Sequence, residues 1–361
     1  MSTRPATHSG SWYSGSRHAL HTQITGFFAN KVNPIPRARV LVGPHAGFSY
    51  SGHRLAETFS AWDTDHVQRV FILGPSHHVY FRNHVKVSHY AFYDTPIGKL
   101  PVDTSINHHL TQGLHSGKRV FQYMDAETDE DEHSFEMHCP FIKHRLDIDQ
   151  KSAGVTIVPI MISGMDGPCA DAVCRALAPY FSDPANTFVV SSDFCHWGER
   201  FNYTQYVPKP LDYTAVGIDD VVAELMTVRS NKQLDTTEIH ESIEILDRVA
   251  MHIASHGTWK DWKRYIEKTR NTICGEKPLM VVMRLLEGER AAAAVATATA
   301  TAGTGAGTDA HANTVAGTGD YISSGAGPEG SAFHWLGYSQ SSSVINVHDS
   351  SVSYASGYAL A

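Results

Sequence analysis

The stretch Thr187–Gly198, TFVVSSDFCHWG, runs through apolar and β-branched residues and then stops abruptly at Ser191, Ser192, Asp193, Cys195 and His196. A short apolar run bounded in this way reads as a buried parallel strand. It delivers polar groups at its carboxyl end, where open α/β sheets place their ligand crevices. Two other stretches share the pattern. Arg37–Gly47, RARVLVGPHAG, runs into His45, and Gln68–His78, QRVFILGPSHH, runs into Ser76, His77 and His78. Three strand ends that each reach histidine after Gly-Pro or Ser-Ser are expected to meet at one site. The fold class this predicts is α/β, with a central mixed, largely parallel sheet flanked by helices.

Outward from these strands, Arg54–Trp62 supplies a crossover helix between Arg39–Val42 and Val70–Leu73, which makes a βαβ unit. His18–Ala29 reads as an amphipathic helix before the turn formers Asn33, Pro34 and Pro36. Val85–Ala91 alternates as a strand, Tyr93–Leu100 turns into another extended piece, and Thr104–Leu114 is expected to be helical. Val155–Ile162, VTIVPIMI, is expected to be a central strand, with Pro159 marking a bulge or a strand end. Helices are predicted over Ala170–Phe181, Asp235–Ser255, Asp261–Lys268 and Leu279–Leu286, and Gly275 and Pro278 place Cys274 at a loop or helix start. Ala291–Ala332 is almost entirely Ala, Gly, Thr and Ser, a composition read as a disordered insertion that buries too little apolar area to offset ordering entropy. Phe333–Ser339 and Val352–Leu360 then look like closing strands of the same sheet, so residues 1–361 are expected to form one domain interrupted at 291–332.

The acidic stretch Thr128–Pro140, TDEDEHSFEMHCP, has two readings. One is an acidic helix N-terminus favoured by the macrodipole. In the other, His133 or Glu136 supports the site from behind. On a continuous helix Glu132, Glu136 and Cys139 would share a face, as would His133 and Glu136.

Composition bounds the function. The chain has 361 residues, 42% of them hydrophobic, and a formal charge of −8 without a dense Lys/Arg block, which leaves no electrostatic footprint for nucleic acid or an anionic membrane. No apolar window reaches the roughly 18 residues of a membrane span. The opening MSTRPATHSGSWY lacks the apolar core of a secretory signal, so the expected location is the cytoplasm, with the nucleus as a further option. Five scattered cysteines, Cys139, Cys169, Cys174, Cys195 and Cys274, point to reduced thiols and not to a disulfide framework.

The chemistry-bearing candidates are His45, His77, His78, Asp193, Cys195, His196 and Cys274, each placed where a strand or helix gives out. With 23 histidines in the chain, any single one is more often structural; shared placement is what singles these out. Histidine and cysteine together suit zinc, copper or iron, and a carboxylate in place of the thiolate would make the facial triad of non-haem iron oxygenases. A hydrolase triad fits poorly, because Asp193, His196 and the neighbouring Ser192 or Cys195 lie within a few residues of one another, whereas triads draw on separate elements. A third class is pure binding: Trp12, Tyr50 and the histidines could grip a phosphotyrosine peptide without turnover.

GPHAGFSYSG, FILGPSHHV, TDEDEHSFEMHCPF, VVSSDFCHWG, NTICGEKP and DSSVSYASGYA, in this order, closely resemble the Memo family, mediators of receptor-driven cell motility. The resemblance implies the fold of class III extradiol dioxygenases, a copper or iron ion on His45, His77 and Cys274, and Asp193 and His196 in the same pocket as candidate catalytic groups. It also implies Trp12 and Tyr50 as pocket-wall residues for a phosphotyrosine-containing peptide; His78 and Cys195, placed where strands give out, are expected to line the same pocket. Cys274 stands where those dioxygenases look to have a glutamate, and a thiolate there favours copper over ring-cleaving iron chemistry. The function implied is redox control linked to motility or cytoskeletal signalling. The alternative is an oxygenase acting on a small aromatic substrate, for which His196 resembles the acid/base histidine.

Overall fold

The structure is a computed structural model that describes residues 2–29, 33–114, 117–302 and 332–361. Among these residues the largest sheet holds nine strands: β1 (Ala38–Gly43), β2 (Arg69–Pro75), β3 (Val85–Val87), β4 (Phe121–Tyr123), β5 (Thr156–Ile162), β6 (Asn186–Ser191), β7 (His196–Trp197), β8 (His334–Gln340) and β9 (Ser351–Leu360). Their order is β7-β9-β1-β6-β2-β5-β3-β4, with β8 paired to β9. β6 lies between β1 and β2, and all three run parallel, with Val190 opposite Val42 on one side and Leu73 on the other. Consequently the carboxyl end of β6 sits between the two strand ends that lead to His45 and His77. β5 continues the parallel set, while β3 and β9 join antiparallel on either side, so the sheet is mixed.

The helices are α1 (Arg17–Phe28), α2 (Phe48–Ala61), α3 (Thr104–Gln112), α4 (Ala126–Asp131), α5 (His133–Glu136), α6 (Cys139–Ile148), α7 (Gly167–Phe181), α8 (Ile218–Glu224), α9 (Ile239–His256), α10 (Trp259–Thr269) and α11 (Glu276–Ala302). Side chains alternate across the strands. Val40, Val42, Phe71, Leu73, Phe188 and Val190 pack with α7, α9 and α11 in one core. Leu41, Val70, Ile72 and Val189 pack with α1, α2 and α6 in another. Both faces are covered, which is why these strands read as unbroken apolar runs and not as alternating ones. Each such side chain stabilises the fold by roughly 1.5–3 kcal/mol.

Several expectations are corrected. α2 starts at Phe48, six residues before Arg54, because Gly47 is its N-cap and the chain enters the helix directly after the turn of β1. β3 ends at Val87, short of Ala91. Pro159 causes neither a bulge nor an end; it pairs in register with Ile72. The Thr156 N–H donates to Gln68 on the β2 side, so by alternation the Pro159 nitrogen faces the other edge, where β3 pairs only from Ile160 onward.

The acidic stretch is not one helix: it breaks at Glu132, whose carboxylate caps α5, so the helical faces expected for Glu132, Glu136 and Cys139 do not form. The tract from Ala291 is helical as far as Ala302, continuing α11, since alanine is the strongest helix former and its low apolar content does not prevent a helical extension. The remainder of that tract, 303–331, lies outside the described residues. β8 and β9 close the sheet as expected.

Candidate metal centre

His45 follows β1 and is buried. Its backbone N–H donates to Asp193 Oδ1 at 2.8 Å, its Nδ1 lies 2.7 Å from Ser191 Oγ, and its Nε2 lies 3.1 Å from Cys274 Sγ. His77 follows β2 and is held at two points by one carboxylate. Its backbone N–H donates to Glu132 Oε2 at 2.7 Å, and its Nδ1 lies 2.8 Å from Glu132 Oε1. An ionised carboxylate only accepts, so His77 Nδ1 carries the proton and Nε2 is left with its lone pair. His133, the first residue of α5, completes the group. Its ring centroid is 4.2 Å from that of His77 and 5.2 Å from that of His45, and the Trp12 indole covers it at 4.5 Å.

Ligand atoms of His45, His77 and His133 all lie within 4.8 Å of one another, the one set of three or more His, Cys, Asp or Glu groups to do so among the described residues. Metal–imidazole bonds of about 2.0–2.1 Å hold three nitrogens on one ion at most about 3.6 Å from one another, so inward side-chain movements of about 0.7 Å each close this set on an ion. The residues fit a metal in charge state as well. Burial, reinforced by the surrounding imidazoles, holds His45 well below the ordinary histidine range, and burial together with His77 brings His133 down to about 3. Neutral imidazoles are the form that metals bind. Burial opposes ionisation of Glu132, but the His77 hydrogen bond, the attraction to His77 and His133 in their protonated forms and the Ser134 N–H together outweigh it and hold the carboxyl down to about 2.

Two glycines make this approach possible. A Cβ on Gly74 would stand 2.4 Å from Ser134 Oγ, so only glycine lets α5 lie close enough to β2 for His133 to reach His77. A Cβ on Gly275 would stand 2.3 Å from Ser192 Cβ, and the Gly275 N–H donates to Ser192 Oγ at 3.0 Å. That contact docks the Cys274 loop against the end of β6. Cys274 Sγ also accepts the Asp193 N–H at 3.2 Å. Burial and then the Asp193 charge push its thiol well above the ordinary value, so the metal-free side chain is a thiol directed at His45. Burial likewise pushes the Asp193 carboxyl up, against the pull of His196 and of the His45 N–H.

The cluster opens into a cleft of about 630 Å³ whose lining includes Trp12, His45, Tyr50, His77, His133, Asp193 and His196. Both His196 Nδ1 contacts are carbonyl oxygens, Phe194 at 2.9 Å and Thr272 at 3.0 Å, so Nδ1 is protonated and Nε2 holds the lone pair. Strand alternation separates Cys195 from His196. Cys195 is fully buried in the core, its N–H donating to Asp247, and it does not line the cleft as expected. His78 also stays out of the lining; it is exposed, with its ring 6.3 Å from His133. Cys274 is brought to His45 but lies outside the three-histidine set. Direct membership of His133, and the roles of Glu132 and Ser191, went unread in the sequence. The signal available was Glu132 immediately before His133, a capping residue at the start of a short helix.

Fold and site together define a mixed α/β protein that gathers a histidine cluster able to hold a metal ion at the carboxyl ends of its central strands. A family model described as Memo-like protein matches residues 4–318. The chain is 39% identical over 368 residues to the MEMO1 family protein MHO1 of Saccharomyces cerevisiae, covering 99% of each chain. It is 34% identical to the memo-1 homolog of Caenorhabditis elegans, covering 98% of this chain and 82% of the other. With human Protein MEMO1 it shares 31% identity, covering 98% and 96%. The chain belongs to the Memo family. Among the described residues no helix is long and apolar enough to cross a membrane.

Proposed function

We propose that this protein binds a copper or iron ion and acts with it in redox control linked to motility or cytoskeletal signalling, zinc being a further candidate occupant without redox chemistry of its own. The domain would be of the class III extradiol dioxygenase type, acting in the cytoplasm. The observation that carries the reading is the convergence of His45, His77 and His133. His45 and His77 hold the ion in this reading, as the family resemblance implies, and the geometry adds His133 as a third imidazole. Cys274, 3.1 Å from His45 Nε2, supplies the softer ligand that favours copper. Bound there, such a metal would supply one-electron chemistry with oxygen, or the protein would sequester the metal and prevent that chemistry. Trp12 covers one side of the cluster, Glu132 fixes His77, and Asp193 holds the His45 backbone.

The test is metal content after purification without added metal, followed by Cu(I) and Co(II) titration against a chelator. About one equivalent is expected for the wild type, with at least a tenfold loss of affinity for His133→Ala and for His77→Ala. Cys274→Ser is expected to weaken Cu(I) more than Co(II). Failure of the wild type to compete for either metal removes the reading.

The second reading is an oxygenase on a small aromatic substrate. It is favoured by His196, which lines the cleft with Asp193 and whose Nδ1 is held by the Phe194 and Thr272 carbonyls, leaving Nε2 as the nitrogen that could accept a phenolic proton. Oxygen uptake by the iron-loaded protein with catechols separates the two readings. Adaptor binding of a phosphotyrosine peptide is supported by the exposed side chains of Tyr50 and Trp12 on the cleft wall. Trp12→Ala should then weaken that peptide, and an unchanged titration removes the role.

A further inference from the structure

We propose that Ser191 is the positioning residue that fixes the tautomer of His45, so that Nε2 of that ring carries the lone pair offered to a metal ion. Its functional meaning rests on the metal-centre reading above. Ser191 ends β6 and is fully buried. Its Oγ lies 2.7 Å from the Ser134 carbonyl oxygen, 2.7 Å from His45 Nδ1 and 2.9 Å from His138 Nε2. A hydroxyl has one proton and two lone pairs, and a carbonyl oxygen can only accept. The single proton is therefore committed to Ser134.

Both remaining lone pairs of Oγ face imidazole nitrogens. Two lone pairs opposed at that separation repel, so each nitrogen must bring a proton. His45 is thus protonated on Nδ1 and bare on Nε2. His138 is protonated on Nε2 and bare on Nδ1. An independent observation agrees with the second assignment: His138 Nδ1 is buried and has no hydrogen-bond partner. With the opposite tautomer, that site would strand a buried N–H donor, which native structures rarely tolerate. It would also oblige one hydroxyl proton to serve two acceptors. His138 is therefore the second donor that keeps Ser191 Oγ turned toward Ser134, and the lock on His45 is neutral, unlike the carboxylate that holds His77.

The test uses full-length, metal-free protein labelled with ¹⁵N-histidine. Long-range ¹H–¹⁵N spectra near neutral pH assign the tautomer of each ring, and Co(II) titration follows. The expected result is His45 protonated on Nδ1 and His138 on Nε2 in the wild type. In Ser191→Ala, His45 should lose that single tautomer, and Co(II) affinity should fall about 10–100-fold, the usual loss when the group orienting a ligand is removed. A wild-type His45 protonated on Nε2 overturns the proposal before any variant is made. So does unchanged Co(II) affinity in a folded Ser191→Ala protein. Wild-type protein that takes up no Co(II), yet shows His45 protonated on Nδ1, removes the metal-centre reading and leaves the tautomer lock standing. Co(II) uptake with the other tautomer removes the lock alone.

Discussion

Glu136→Gln is the substitution whose consequence can be worked furthest. Glu136 is fully buried and receives hydrogen bonds from Arg4 Nη1 at 2.6 Å, Tyr13 Oη at 2.7 Å and the His8 backbone N–H at 2.9 Å, with His8 Nδ1 at 3.0 Å. Burial raises its pKa, but the His8 hydrogen bond, the Arg4 charge and the Tyr13 hydroxyl together overcome it and hold the carboxyl down to about 2, from an ordinary 4.5. A depressed carboxylate stabilises the fold fully above its unfolded pKa and loses that contribution as pH falls through the folded one. The window is therefore pH 4.5 down to about 2. At about 1.4 kcal/mol per pH unit, the contribution at neutral pH is on the order of 3 kcal/mol. Breaking a buried ion pair from one side costs a similar 3–5 kcal/mol or so.

Urea unfolding at pH 7 and pH 3 should show Glu136→Gln destabilised by about 3 kcal/mol at the higher pH and progressively less below pH 4.5. The same substitution loosens the segment that carries His8 and Trp12, so Trp12 emission should shift to the red. A difference under about 1 kcal/mol at pH 7, or one that does not shrink on acidification, would refute the reasoning. The figure belongs to Glu136 alone, because Asp129, also paired with Arg4, is pushed the other way by burial.

Three further outcomes are expected. Glu132→Gln removes the charged acceptor of both His77 donors and should weaken Co(II) by about 10–100-fold in competition titrations; equal affinity would show that His77 needs no anchor. Asp247, fully buried, is pushed up to about 6, so its ionisation opposes folding: the fold is favoured below about 4 and loses on the order of 3 kcal/mol as pH rises through 6. Asp247→Asn should flatten the stability profile between those limits, and a profile parallel to the wild type would contradict this. Gly275→Ala forces a Cβ into Ser192 and should displace Cys274, lowering Cu(I) affinity more than Co(II) affinity, with the opposite ranking counting against a thiol at the centre.

What the sequence determined by itself is the local part of the site. The runs ending at Gly43, Pro75 and Ser191 are apolar on both faces, and only a buried parallel arrangement satisfies that, so His45, His77 and Asp193 had to emerge at one edge. His196 was legible for the same reason, whereas the contrast with Cys195 depends on which side of the chain each side chain leaves once β7 pairs with β9. Tertiary structure decided the rest. His133 joins the cluster because the acidic stretch breaks at Glu132 and because Gly74, nearly sixty residues earlier, leaves room for α5; neither fact has a periodic signature. The extension of α11 to Ala302 turned on alanine's helix preference, which composition alone did not reveal. Patterns of three to ten residues report what neighbours along the chain can bury. The donor and acceptor on each imidazole are set by Ser191, Ser134 and Glu132, partners that meet His45 and His77 only across the folded sheet.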